Sequence, residues 1–124
     1  MATIVHFDIS ADNPDRAKKF YEAIFGWKIG PIGGFPDYYE IETTDMNGLK
    51  SIGGGITKRE NPQQTCIINF IGVSSIDETF AKLTSFGGKV IQAKQRVPGY
   101  GFIAVCTDTE NNLFGLFQEE KTGV

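Results

Sequence analysis

Apolar and polar residues alternate from Thr3 to Ser10: Val5, Phe7 and Ile9 are apolar, whereas His6, Asp8 and Ser10 are polar. A period of two predicts a half-buried strand with one apolar face. Asp12, Asn13 and Pro14 follow, and then Ala17, Phe20, Tyr21, Ile24 and Phe25 recur at helical spacing. Asp12 or Asn13 is placed as the N-cap, Pro14 near the first helical position and Gly26 as the residue that ends the helix. Trp27 to Ile29 begins an extended segment, and Pro31, Gly33, Gly34 and Pro36 punctuate a loop. Two further strands are predicted at Tyr38–Thr43 and Ser51–Lys58, with a turn at Asp45–Gly48 between them.

The same order returns in the second half. Cys66 to Val73 reads as a strand, and Ser75 with Glu78 forms a capping box opening a helix that carries Phe80, Leu83 and Phe86. Gly87 closes that helix as Gly26 closes the first. Lys89 to Ala93 is extended, and Gly101–Cys106 and Leu113–Gln118 are strands flanking a turn at Asp108–Asn112. The chain therefore reads as a single α+β domain of two βαβββ modules, about 3–58 and 66–120, joined by a polar linker at about 59–65. One helix covers only one face of a small sheet, so neither module buries a core alone. Paired, the modules are expected to form an incompletely closed barrel, helices outside, around a concave cup.

Composition narrows the partners. The chain has 124 residues with 40% hydrophobic and 22% charged, which argues against disorder. Its net charge of −3 speaks against nucleic acid or an anionic membrane as partner. No apolar run approaches about 18 residues, and MATIVHFD lacks the features of a signal peptide, so a cytoplasmic location is expected. Cys66 and Cys106 are too few for a disulfide framework or a zinc cluster.

The opening VHFDISADNPDRAKKFYEAIFGW and the closing GYGFIAVCTDTENNLFGLFQ resemble the vicinal oxygen chelate superfamily, which contains glyoxalase I, bleomycin-resistance proteins and extradiol dioxygenases. The resemblance implies the glyoxalase/bleomycin resistance fold and, commonly, a homodimer. In the closing turn Thr109 and Asn111 replace the family's proline and glycine, and Asn tolerates the left-handed backbone that the glycine would adopt. Enzymes of the family hold a divalent metal in the cup with His or Glu from four strand positions. Only His6, the sole histidine, falls on such a position; the others fall at Ile68, at Gly115 and near Ser51–Ile52. A catalytic metal typically needs about three protein ligands, so no metal cofactor is expected.

His6 and Asp8, two apart on a strand, share a face, so the carboxylate can orient the ring. With Tyr39, Phe70, Tyr100, Phe102 and Phe117 they are the candidate ligand contacts of an aromatic-lined cup, because small-molecule pockets are mostly apolar with few placed polar groups. Gly53–Gly55 and Gly115 mark places where something approaches a strand closely. No catalytic residue is assigned. Arg96 is placed in a loop with Pro98, Gly99 and Tyr100. The expected function is a glyoxalase-like protein that binds a small hydrophobic or aromatic molecule without the family metal. The alternative is a lactoylglutathione-lyase-like enzyme dependent on Zn, Ni or Mn.

Overall fold

The computed structural model describes residues 2–61 and 65–120. The chain orders its elements as β1 (Thr3–Ala11), α1 (Pro14–Phe25), β2 (Lys28–Pro31), β3 (Tyr38–Glu42) and β4 (Gly53–Lys58), and then as β5 (Ile67–Gly72), α2 (Ile76–Ser85), β6 (Lys89–Val97), β7 (Gly101–Thr107) and β8 (Leu113–Glu119). It divides into two compact units: His6–Ile67, and the later chain together with the first residues of β1. Of the linker expected at 59–65, residues 62–64 lie outside the described residues.

In the first unit the strand order is β2-β3-β4-β1, with β2 and β3 antiparallel, β3 and β4 antiparallel, and β4 and β1 parallel. The second unit runs β6-β7-β8-β5 with the same alternation of senses, ending on the parallel pair β8 and β5. The βαβββ plan thus repeats in pairing as well as in element order.

Local signals explain both helices. The Asn13 side chain accepts from the Arg16 N–H, Pro14 occupies the first turn, and Gly26 adopts φ 68° while its N–H reaches the Glu22 carbonyl. Ser75 accepts from the Glu78 N–H at 3.1 Å, and Gly87, at φ 96°, follows the end of α2. Each helix covers one sheet face. Ala17 and Tyr21 pack on Ile9, Ala11, Ile29, Ile41 and Ile56, and Trp27 stacks on Tyr21 with ring centroids 5.2 Å apart. Phe80 and Leu83 pack on Ile76, Ala104, Cys106 and Leu116. Phe20, Ile24 and Phe25 share the helical spacing but remain 56–60% exposed.

Two loops depart from expectation or satisfy it informatively. Arg96 is not in a loop: β6 continues to Val97, Arg96 pairs with Phe102, and its guanidinium lies 2.7 Å from Glu120. The turn needs only Pro98, Gly99 and Tyr100, closed by the Tyr100 N–H on the Val97 carbonyl. Asn111 takes the expected left-handed backbone at φ 65°. Beside it, Asp108 accepts from the backbone N–H groups of Asn112 and Glu110 and from the Asn112 side chain. These bonds favour the carboxylate and hold the Asp108 carboxyl below its ordinary range.

Candidate ligand-binding site

The helix-free face of the first sheet is fixed by strand alternation. Phe7, Ile9 and Ala11 of β1 turn toward α1, so His6, Asp8 and Ser10 turn away. The register sets His6 beside Gly53, Asp8 beside Gly55 and Ser10 beside Thr57. On β3, Tyr39 and Ile41 join the helix-side core, which leaves Tyr38 and Glu40 on the face of His6 and Asp8.

Three polar groups close a triangle there. His6 Nε2 is 2.8 Å from Asp8 Oδ1 and 3.1 Å from the Tyr38 hydroxyl, and that hydroxyl donates to Asp8 Oδ1 at 3.0 Å. An ionised carboxylate only accepts, and the phenol's single proton is already directed at it. His6 Nε2 lies within hydrogen-bond distance of both the Asp8 carboxyl and the Tyr38 oxygen. The pair is part-exposed, with 35% of the His6 and 23% of the Asp8 side chain accessible. The arrangement can present hydrogen-bonding groups of fixed orientation to a small molecule.

Tyr38 reaches this position because residue 55 has no side chain. A methyl group built on Gly55 would sit on the Tyr38 hydroxyl and Cζ, and one on Gly54 would strike the Phe7 ring. The second unit repeats the device, since a methyl on Gly115 would overlap the Phe70 ring across the β5–β8 pair. The close approach expected at these glycines is made by the chain's own rings.

The expected contacts divide by unit and by face. Phe70 is 4% exposed and sits on the face of β5 opposite Ile71, which packs toward α2. Phe117 lies beside Gly72 and Ile103, between helix-side Leu116 and Gln118, whose amide oxygen accepts from the Ile76 N–H. Phe70 and Phe117 thus share the helix-free face of the second sheet. Phe102 joins the helix-side core with Ala104 and Cys106, and Lys94 Nζ stands 4.7 Å above its ring. Tyr39 also faces its helix, where its hydroxyl donates to Asp15. Tyr100 is in the turn before β7, 46% exposed. The residue missed by sequence reasoning is Tyr38. Its signal was the alternation of β3, in which Tyr39 shares a face with apolar Ile41 and Tyr38 does not.

The donor set does not fit the family's metal. His6 Nε2 is engaged within the triangle, Ile68 and Gly115 offer no ligating side-chain atom, and Ser51–Ile52 bring neither carboxylate nor imidazole. Among the described residues no three His, Cys, Asp or Glu side chains converge as a metal site would require.

Fold and helix-free polar face together define an α+β protein of two repeated βαβββ modules, the glyoxalase/bleomycin resistance class of fold. Residues 3–116 match the Glyoxalase/Bleomycin resistance protein/Dioxygenase superfamily, and the chain belongs to it. A glyoxylase-like domain-containing protein of Didymella fabae is 30% identical over 115 residues, covering 88% of each chain. The putative glyoxylase CFP32 of Mycobacterium tuberculosis is 23% identical, and this chain spans 44% of its length. Among solved structures, hypothetical protein BH1468 of Bacillus halodurans superposes with a TM-score of 0.70 at 14% identity, covering 99% of this chain and 98% of that one. A variant of Streptomyces coelicolor methylmalonyl-CoA epimerase, in complex with 2-nitronate-propionyl-CoA, gives 0.71 at 15%, covering 98% and 96%. At such identities the likeness is one of fold. No helix among the described residues is long and apolar enough to cross a membrane.

Proposed function

We propose that this chain binds a small hydrophobic or aromatic molecule without the family's divalent metal, using His6, Asp8 and Tyr38 as its polar contacts. The observation that carries the reading is the closed triangle: the one histidine at a family ligand position is committed through Nε2 to a carboxylate and a phenol. A metal ion would have to break that bond and find two further ligands. The proposal includes a homodimer, as family members often form, and a cytoplasmic location.

Calorimetric titration of dialysed protein with Zn²⁺, Ni²⁺ and Mn²⁺ tests the metal half. No stoichiometric binding of micromolar or tighter affinity is expected. A single such ion per chain, lost in His6→Ala, overturns the proposal. Thermal-shift screening with aromatic small molecules tests the other half: hits should weaken in Tyr38→Phe and Asp8→Asn. Formation of lactoylglutathione from the glutathione hemithioacetal with added Zn²⁺ or Ni²⁺, abolished by His6→Ala, would establish the lyase instead.

A further inference from the structure

A concavity lies wholly within the first unit, where the β2–β3 loop folds over the start of α1. It has a volume of about 450 Å³ and is walled by Phe35, Tyr38 and Tyr39, with Asp15 and Asp37 at its margin. That volume is within the usual range for small-molecule sites. Three prolines, at 14, 31 and 36, also line it and limit how far its walls can relax. The Phe35 and Tyr38 rings meet at 57° with centroids 6.5 Å apart, so they present differently oriented faces rather than one flat stack.

The charged residues lining this aromatic pocket are all of one sign. None of its lining residues is basic. Among the described residues neither Asp15 nor Asp37 forms an ion pair. Aromatic faces carry the negative end of the ring quadrupole, so rings and carboxylates act on an incoming charge in the same sense. We infer that this pocket binds the alkylated ammonium group of a small organic cation, held by Phe35, Tyr38 and Tyr39 with Asp15 and Asp37 supplying the counter-charge. The same carboxylates act on the Tyr39 phenol, which is raised above its ordinary value by its hydrogen bond to Asp15, by desolvation and by the negative charges of Asp15 and Asp37. A field that resists forming phenolate favours a cation.

The site is separate from the triangle, although Tyr38 belongs to both: its ring walls the pocket while its hydroxyl holds His6 and Asp8. It goes beyond the function proposed above and stands whichever ligand the His6 face takes. Choline and its uncharged isostere 3,3-dimethyl-1-butanol are the probes, followed by chemical-shift changes of the Phe35, Tyr38 and Tyr39 rings in the full chain. Choline should give saturable shifts and the isostere should not. Asp37→Asn, which keeps a residue tolerant of the φ of 63° observed there, should weaken choline about threefold to tenfold. Phe35→Leu, which keeps the apolar volume but removes the ring, should weaken it similarly. Equal binding of the two probes, or no saturable shift with folded protein, overturns the inference.

Discussion

Placing a methyl group at position 55 tests whether one glycine holds the candidate site together. In Gly55→Ala the new Cβ falls on the Tyr38 hydroxyl and ring carbon. Two responses are open to the chain. If Tyr38 swings out, it loses its bonds to Asp8 and His6, at about 0.5–1.5 kcal/mol each. If the ring stays, β4 must shift away from β1 and β3, and overpacking of this kind costs about 1–3 kcal/mol. Both routes converge on about 2 kcal/mol, or roughly 6–10 °C in Tm for a domain of this size. Tyr38→Ala removes the obstacle. In that background Gly55→Ala should be neutral or stabilising by up to about 1 kcal/mol, because glycine in a strand interior is less favourable than alanine. Urea denaturation of the four proteins of this cycle should therefore give a coupling energy of about 2 kcal/mol. A coupling below about 0.5 kcal/mol, the range of additive sites, would show that Gly55 is not there for Tyr38.

The second unit makes a parallel prediction: Gly115→Ala should destabilise by about 1–3 kcal/mol, with most of the loss absent when Phe70→Ala precedes it, measured by the same denaturation cycle. Thiol labelling should separate the cysteines, since Cys66 is exposed and burial raises the Cys106 thiol. One group per chain should react quickly in native protein, and the second only in denaturant; two fast thiols would contradict the buried β7 position. Asp108 has its pKa lowered in the folded chain, so its contribution to stability is present above the unfolded value and is lost as pH falls through the folded one. Asp108→Ala should accordingly lower Tm at neutral pH and flatten the acid limb of a Tm-against-pH curve. Asp15→Asn should move the Tyr39 phenol downward in an alkaline absorbance titration, because the strongest cause of its raised value is the bond to Asp15.

Short-range chemistry was legible along the chain. Asn13 and Ser75 cap their helices because a side-chain oxygen can reach an N–H three residues ahead, and Gly26 ends α1 because it alone there enters the left-handed region without strain. The alternation of β1 likewise set His6 and Asp8 on one face, since a strand has a strict period of two and its apolar partners were unambiguous. The face of Phe102 was not legible in its own strand, and that of Phe70 rested on the family position of Ile68. IINFIG and GFIAVCT are apolar at nearly every position, so alternation carries no label for the side that meets the helix.

The placing of His6 and Asp8 on one face of β1 follows from the amino-acid sequence itself, because it depends on residue identity and strand period alone. Tyr38 joins them only in three dimensions. Its place rests on the register that sets β3 and β1 either side of β4 and on the space left above Gly55, contacts between residues some thirty positions apart in the chain. Local propensity cannot encode such a meeting; packing decides it.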